Sequence, residues 1–356
     1  LSINGQHASC GASIGIAMAP GDGEDGITLM KNADLALYRA KHEGKSTYHF
    51  FEPALDEAAR QRRQLELDLR AAIREGGFEL NFQPLYSLAE KRLTGFEALI
   101  RWNHPDRGRI SPAEFIPLAE ETGLIIPIGE WVLREACHQA CTWPADVAVA
   151  VNVSPKQFAS TGIAATVLSA LSASGLSPHR LELEITESVF IADVDMTLAT
   201  LHSLRNLGVK IALDDFGTGY SSLSYLRSFP FDKVKIDKSF VEDLGTSSNG
   251  HAMIRAITTL ANALGMETLA EGVEDVAQFE VLEREGCQNI QGYLFSRPLM
   301  GFFITSEPVI EVAQTLLHIM LWEGWTRPDY IAAHTTGLDE LKATVRDCTP
   351  DLVAQV

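Results

Sequence analysis

Six polar residues that can supply oxygen ligands stand at or near the ends of short apolar runs: Glu97, Asn152, Glu184, Asp214, Asp215 and Glu271. In barrel-type α/β folds the carboxyl ends of the strands share one face, so side chains at those ends converge on one site. Five carboxylates brought so close together would repel one another, and several would have to take up protons. A bound divalent cation would remove this conflict.

Carboxylate oxygens combined with an amide oxygen favour Mg²⁺ or Mn²⁺ over zinc. The adjacent Asp214 and Asp215 further suggest a carboxylate that bridges two ions. A solvated acidic rim without function is the alternative interpretation. Elsewhere, Cys137, His138 and Cys141 form an incomplete zinc motif without a second ligand pair nearby, so two half-buried helix cysteines are expected there.

The elements that must position these residues are eight short β-rich runs separated by helical segments. They cover residues 78–84, 93–102, 147–153, 181–186, 209–215, 232–237, 266–272 and 288–295. This alternation predicts an α/β fold with a closed (β/α)₈-type barrel, and a doubly wound open sheet is the alternative.

Side chains alternate between the two faces of a strand, and in a barrel one face lines the lumen. In Leu181-Glu182-Leu183-Glu184-Ile185 the leucines and the isoleucine share one parity, which turns both glutamates inward. The same rule turns a further set of polar side chains inward: Glu97, Arg101, Asn152, Asp214, Lys233, Lys235 and Asp237. We therefore expect a charged lumen near the carboxyl ends of the strands.

Composition excludes several classes of protein. The chain has 356 residues, enough for two domains or for a barrel with attachments, and it is 46% hydrophobic. It carries 47 acidic against 29 basic residues, a formal net charge of −18, which argues against coating a nucleic acid or binding an anionic membrane. No apolar run approaches the roughly 18 residues that span a bilayer. Five sparse cysteines and the lack of a signal peptide predict a reducing, cytoplasmic location.

Several motifs follow one another in a fixed order along the chain. They are Gln83-Pro84, Glu97-Ala98-Leu99 with Arg101-Trp102, Asn152-Val153-Ser154, Glu184-Ile185-Thr186-Glu187-Ser188, Asp214-Asp215-Phe216-Gly217-Thr218-Gly219, Lys235-Ile236-Asp237, Glu271-Gly272-Val273-Glu274 and Gln291-Gly292-Tyr293. In this order and spacing, the stretch from about residue 65 to residue 300 resembles the EAL domain, a bacterial cyclic di-GMP phosphodiesterase. The resemblance implies a modified TIM barrel whose first strand runs antiparallel to the others.

The resemblance also implies two divalent ions, Mg²⁺ or Mn²⁺, with Ca²⁺ expected to inhibit. The ligand positions of the family correspond here to Glu97, Asn152, Glu184 and Asp214 for one ion and to Asp214, Asp215 and Glu271 for the second. An activated water would then open one phosphodiester bond to give linear 5′-pGpG. Lys235 would hold that water or offset charge on phosphorus, and Glu271 would act as general base or only as a ligand.

Further roles follow from the resemblance alone. The implied substrate contacts are Gln83, Arg101, Asp237, Glu274 and Gln291, with Arg101 on a phosphate oxygen unless it forms a structural ion pair. Glu187 would anchor loop 6, the segment 216–223 that begins Phe216-Gly217-Thr218-Gly219, unless it is a solvent-facing residue. Loop 6 and the following helix would form a homodimer interface.

The rest of the chain is divided as follows. Residues 1–52 resemble the last third of a GGDEF domain, but the motif that names that domain is absent, so no diguanylate cyclase activity is expected of this chain. A linker helix over 53–64, the EAL domain over 65–302 and an extension over 303–356 without assigned chemistry complete the division. We expect no contact with a nucleic-acid polymer or a membrane, although a longer parent protein could be membrane-tethered.

Two other functions are compatible with parts of this pattern. A degenerate EAL module would bind cyclic di-GMP without hydrolysing it, but such modules lose a ligand, the lysine or loop 6, and all of these are intact here. An enolase-like barrel also places carboxylates at strand ends. It fits less well, because Asn152 and the Asp214-Asp215 pair suit phosphate displacement better.

Overall fold

The structure is a computed structural model that describes residues 2–3, 6–7, 11–42, 46–160, 162–190, 193–217, 229, 231–245 and 248–300. The chain divides into two compact units, residues 1–76 and residues 77–356. The expected extension over 303–356 lies outside the described residues.

The first unit is a small α/β assembly. Strands β1 (Ser2–Ile3) and β2 (Gln6–His7) form an antiparallel pair, and β3 (Ile14–Ile16) and β4 (Tyr48–Phe50) form a parallel pair around helix α1 (Gly26–His42). Helix α1 approaches β3 closely because Gly15 has no side chain: a Cβ there would lie 1.9 Å from the carbonyl oxygen of Ala33. Helix α2 (Pro53–Glu75) runs without interruption through the boundary expected at residue 64.

The second unit is built on a closed barrel of eight strands. These are β5 (Phe78–Ser87), β6 (Arg92–His104), β8 (Ala148–Asn152), β9 (Leu181–Thr186), β10 (Lys210–Phe216), β11 (Lys233–Ile236), β12 (Glu267–Ala270) and β13 (Asn289–Ile290). Strand β5 closes the barrel by pairing antiparallel with both β6 and β13, and the remaining neighbours are parallel. Two short strands, β7 (Gly108–Ile110) and β14 (Leu299–Met300), extend the sheet. The prediction of a barrel with an antiparallel first strand is confirmed, and the open sheet is wrong.

Helices connect and surround the strands. They are α3 (Pro112–Thr122), α4 (Ile125–Ala140), α5 (Pro155–Ala159), α6 (Ile163–Ser174), α7 (Val194–Asn206), α8 (Lys238–Glu242), α9 (Ser248–Ala263) and α10 (Val276–Arg284), with 3₁₀ turns at Pro178–Arg180, Glu187–Phe190 and Asp243–Gly245. Cys137 is buried in α4 and Cys141 is exposed just after it, and neither forms a disulfide. Within the residues that the structure describes, no helix combines the length and apolar character needed to cross a bilayer.

The alternation of side chains in the strands separates an apolar layer from a charged lumen. Leu181, Leu183 and Ile185 are completely buried on the outward parity, as predicted. On the inward parity, Lys233 Nζ donates to both carboxylate oxygens of Glu182, at 2.7 and 2.8 Å, across the intervening strand β10. The lumen is therefore occupied by ion pairs as well as by apolar side chains.

The last predicted strand run, 288–295, is shorter than expected. Only Asn289–Ile290 is a strand, because Gly292 turns the chain against the backbone of Val273. A Cβ at Gly292 would lie 2.1 Å from the carbonyl oxygen of Val273. The amide of Val273 donates to the Gln291 carbonyl at 3.1 Å, and the amide of Leu294 donates to the Val273 carbonyl at 2.9 Å, so the two loops are locked together.

Candidate active site

Lys235 is the centre of the candidate site. Its Nζ lies 2.6 Å from Glu184 Oε2, 2.6 Å from Glu271 Oε1, 3.2 Å from Asp214 Oδ1 and 3.9 Å from Glu97 Oε1. The side chain is only 1% exposed. Burial by itself would lower the pKa of this ammonium group, but the surrounding carboxylates outweigh burial and raise the pKa well above its ordinary value. Lys235 therefore stays charged.

A β-bulge places two adjacent aspartates on the same site. The register of β10 shifts between Leu213 and Phe216, and Asp215 adopts a left-handed backbone conformation with φ of 54°. Simple alternation would have turned Asp214 and Asp215 to opposite faces. With the bulge, Asp214, Asp215 and Glu271 each offer an oxygen atom, and these atoms lie within 4.8 Å of one another. Burial, followed by repulsion from Asp214, raises the pKa of Asp215.

Glu97 is held by hydrogen bonds to both of its oxygens. Asn152 Nδ2 donates to Oε1 at 2.6 Å, and Gln291 Nε2 donates to Oε2 at 2.6 Å. Burial would raise the pKa of Glu97, but Lys235 and these two hydrogen bonds hold the pKa below its ordinary value. Gln83 lies opposite Glu97 in the β5–β6 ladder. Glu97 is therefore an ionised carboxylate with a fixed orientation.

Glu184 provides a test of whether the site suits a cation. Its Oε2 accepts from Lys235, whereas its Oε1 is buried and accepts no hydrogen bond from any described residue. Burial raises the pKa of this carboxyl well above its ordinary value. Once all five carboxyl groups are ionised, they exceed the one ammonium group by four negative charges, which two divalent cations would neutralise. The oxygen-rich ligand set and the unpartnered buried oxygen fit such cations.

Two cavities border this acidic cluster. One of about 310 Å³ is lined by Glu97, Asp214, Lys235 and Glu271, together with Gln83, Glu274, Gln291 and Tyr293. The other, of about 440 Å³, is lined by Asn152, Glu184 and Arg101 with apolar side chains of α3 and α4. A larger cavity of about 1000 Å³ lies at the opposite end of the barrel, where Lys233 and Glu182 already satisfy each other. The chemistry is thus concentrated at the carboxyl ends of the strands.

Of the remaining residues predicted to bind substrate, two line a cavity and one caps a helix. Glu274 lines the 310 Å³ cavity, whereas Arg101 lines the 440 Å³ cavity and donates from Nη1 to the carbonyl oxygen of Ile100 at 2.9 Å. Asp237 instead caps the amino end of α8, where its Oδ1 accepts from the amide and the hydroxyl of Ser239. Its carboxylate therefore has a structural role in the fold.

Loop 6 is described only at its start. Glu187 opens the 3₁₀ turn that follows β9, and Phe216 is buried at the end of β10. Gly217 has φ of 95°, a backbone conformation that favours glycine, and a Cβ there would lie 3.0 Å from the ring of Phe240. Thr218 and Gly219, with the rest of loop 6 and its expected dimer contacts, lie outside the described residues.

One residue at the site was not assigned a function in the sequence analysis. Tyr293 lines the 310 Å³ cavity with 52% of its surface exposed. The available signal was its position directly after Gln291-Gly292 in a motif, but a surface tyrosine is indistinguishable in sequence from one that forms a cavity wall.

Comparison with known proteins agrees with this geometry. The EAL domain family matches residues 66–298, and the family described as diguanylate cyclase, GGDEF domain, matches residues 1–47. The bifunctional diguanylate cyclase/cyclic di-GMP phosphodiesterase MucR of Pseudomonas aeruginosa is 45% identical over 301 residues, which are 83% of this chain and 44% of MucR. The cyclic di-GMP phosphodiesterase NbdA of the same species is 40% identical over 303 residues, 84% of this chain and 39% of NbdA. This chain thus spans less than half the length of either relative.

A solved structure supports the same relationship. The MucR phosphodiesterase in complex with c-di-GMP superposes with a TM-score of 0.64 at 46% sequence identity, covering 67% of this chain and 98% of that one. The EAL match includes every strand of the closed barrel and all the ligand positions considered above. The chain therefore belongs to the EAL domain family.

Proposed function

We propose that this chain is a metal-dependent phosphodiesterase that hydrolyses cyclic di-GMP to linear 5′-pGpG. The observation that carries the proposal is the cluster of five carboxylates at the wall of a cavity, four of which lie within 3.9 Å of the buried ammonium of Lys235. Two relatives with this domain are named cyclic di-GMP phosphodiesterases, and a related solved structure is described as a c-di-GMP complex.

Two Mg²⁺ or Mn²⁺ ions would be held by the acidic cluster. Glu97, Asn152, Glu184 and Asp214 would hold one ion, and Asp214, Asp215 and Glu271 the other. When bound, the ions would supply a nucleophilic water at neutral pH and neutralise charge on the phosphoryl oxygens. The unpartnered Oε1 of Glu184 and the bulge at Asp215, where an oxygen of Asp215 lies within 4.8 Å of oxygens of Asp214 and Glu271, both support this assignment.

The side chains of the barrel would perform the proton and charge steps. The oxygen of the water forms a bond to phosphorus, and the bond from phosphorus to the ribose 3′ oxygen breaks. Glu271 lies on the cavity wall with its Oε1 2.6 Å from Lys235 Nζ, and it would act as proton acceptor for that water or only as a metal ligand. Lys235 would stabilise the charge that develops on the phosphoryl oxygens, and the released 3′ oxygen takes up a proton.

Substrate would be held on both sides of the cluster. Gln83, Glu274 and Gln291 would contact it from the 310 Å³ cavity, and Arg101 would contact a phosphate from the 440 Å³ cavity. Loop 6, with Glu187 as its anchor, would keep the aspartates of β10 aligned and contribute to a homodimer.

The test is hydrolysis of cyclic di-GMP by the purified chain with Mg²⁺ or Mn²⁺, followed by chromatography of the products. We expect pGpG from the unaltered chain and a loss of more than about 100-fold for Glu97→Ala, because the cluster then lacks a ligand. Glu283→Ala, which removes an exposed carboxylate on α10, is the matched control and should leave turnover unchanged. Tight binding without hydrolysis under every metal condition would refute the proposal and support a receptor.

A further inference from the structure

Asn152 lies at the end of β8, where the strand is paired on one side only. On the side of β6 the ladder ends at Val151, whereas on the side of β9 Asn152 still pairs with Glu184. The Nδ2 of Asn152 donates to Glu97 Oε1 at 2.6 Å. Because an ionised carboxylate only accepts hydrogen bonds, this contact fixes the direction of the amide and leaves Oδ1 as the atom available to a cation. The position of Oδ1 therefore depends on the turn that follows the strand.

Ser154 holds this turn together. Its amide donates to Gln157 Oε1 at 3.0 Å, and its Oγ accepts from the Lys156 amide at 3.3 Å. These contacts cap the amino end of α5, which has only five residues. A helix this short is not stable by itself in water, so the place of the turn depends on contacts with other elements.

Two neighbouring helices supply those contacts. Ser154 Oγ donates to Glu120 Oε1 on α3 at 2.5 Å, a short hydrogen bond of the kind that carboxylates accept. Leu118, two residues before Glu120, is buried, so α3 is a fixed support. Gln157 is 4% exposed and lies against α4, where a Cβ on Gly129 would be 2.0 Å from Gln157 Nε2. The turn after Asn152 is therefore held from two sides.

We propose that Glu120 is a positioning residue for Asn152 and acts through Ser154. This inference rests on the proposed function, in which Asn152 holds one of the two cations. Without the Glu120 carboxylate, the Ser154 hydroxyl loses its acceptor, and the turn can adopt arrangements in which Asn152 Oδ1 no longer reaches the cation. The loss of such a supporting contact typically lowers metal affinity by about 10- to 100-fold.

The test measures Mn²⁺ binding to the purified chain by isothermal calorimetry, with Mn²⁺ alone as the probe. Glu120→Ala and Ser154→Ala should each weaken one of the two binding steps by about 10- to 100-fold, because Asn152 is assigned to one ion only. The double variant should show no further loss, since both substitutions break the same contact. Ser154→Thr keeps a hydroxyl group and should recover most of the affinity.

Glu130→Ala, which removes an exposed carboxylate on α4, is the matched control and should bind Mn²⁺ like the unaltered chain. Thermal unfolding verifies that every variant is folded. If Glu120→Ala does not fold, Ser154→Ala and its rescue by Ser154→Thr decide the question.

The outcomes separate the inference from the function on which it rests. Unchanged Mn²⁺ affinity in Glu120→Ala, in a chain that hydrolyses cyclic di-GMP, would overturn the positioning role and leave the phosphodiesterase intact. Losses that multiply in the double variant would also overturn it, because Glu120 would then act independently of Ser154. Equal weakening of both binding steps would overturn it as well, since the whole site would then be disturbed.

The opposite separation is also possible. If the unaltered chain binds Mn²⁺ without hydrolysing cyclic di-GMP, the expected pattern of Mn²⁺ affinities would support the positioning role while the proposed function fails. No Mn²⁺ binding by the unaltered chain would refute both.

Discussion

Replacement of Lys235 by methionine is the most direct test of the electrostatic description of the site. The substitution removes one ammonium group and leaves an apolar chain of similar length in its place. Four carboxylates then lose a partner that lies between 2.6 and 3.9 Å away. At an effective dielectric constant of about 20, each of the two shortest contacts corresponds to a gross attraction of about 6 kcal/mol.

The net cost is smaller than the gross attraction, because the buried ammonium no longer has to be removed from water. Removing one partner of a buried ion pair destabilises a protein by about 3–5 kcal/mol. We expect a loss of this size in the free energy of unfolding of Lys235→Met in EDTA at mildly alkaline pH. Millimolar Mg²⁺ should reduce the difference from the unaltered chain, because cations replace the missing positive charge.

Urea unfolding followed by tryptophan fluorescence is the assay. All five tryptophans lie beyond residue 76, and Trp102, Trp131 and Trp143 are in the barrel unit, so the signal does not report on the first unit. Lys238→Met is the matched control: this lysine is 67% exposed and should change stability by less than about 0.5 kcal/mol. Equal stability of the two variants in EDTA would refute the view that ionised carboxylates surround Lys235.

Four further outcomes are expected. Burial raises the pKa of Glu271 to about 7, so its carboxyl group loses a proton less readily in the folded than in the unfolded chain. In EDTA the free energy of unfolding should therefore fall as pH rises from about 5 to 7, by up to about 1.4 kcal/mol per pH unit. Mg²⁺ should flatten this slope when stability is measured by urea titration. Ca²⁺ in place of Mg²⁺ should abolish pGpG release, since its bonds are longer and its geometry looser; equal turnover would contradict the site proposed here. Lys233→Met should cost about 3–5 kcal/mol in urea unfolding, and adding Glu182→Leu should recover much of it, because no buried charge is then left alone. Glu187→Gln should lower turnover while metal affinity is retained; an unaltered rate, with an unaltered oligomeric state by gel filtration, would argue against its role as the loop 6 anchor.

The features that the sequence predicted well are those that depend on strand periodicity. Side-chain alternation is a property of extended backbone, so strand parity alone places Glu184 and Lys235 in the lumen, where both are buried. The bulge at Asp215 could not be anticipated from alternation, since it depends on how β10 pairs with β11. The locking of Gly292 onto Val273 depends in the same way on a contact between residues distant in sequence.

The ion pairs and hydrogen bonds of the site also could not be predicted from the sequence. Alternation indicated that Lys233 and Lys235 face inward. It did not show that Lys233 would pair with Glu182 alone, whereas Lys235 would lie among four carboxylates. That choice depends on the stagger of β9 and β11 on either side of β10. Asp237 has the expected parity and a family motif, but sequence did not show that its carboxylate accepts hydrogen bonds from Ser239 at the start of a helix; its contact with substrate stays a prediction.

The antiparallel first strand determines where the polypeptide enters the barrel. Phe78 pairs with Trp102, toward the carboxyl end of β6, whereas Gln83 lies opposite Glu97 deeper in the barrel. In a barrel of eight parallel strands the chain would enter at the pole remote from the chemistry. Here Gly77 enters at the end of the barrel that holds the carboxyl ends of the parallel strands. A mechanical load on the backbone at Gly77 would therefore reach the barrel first at the end that carries the acidic cluster.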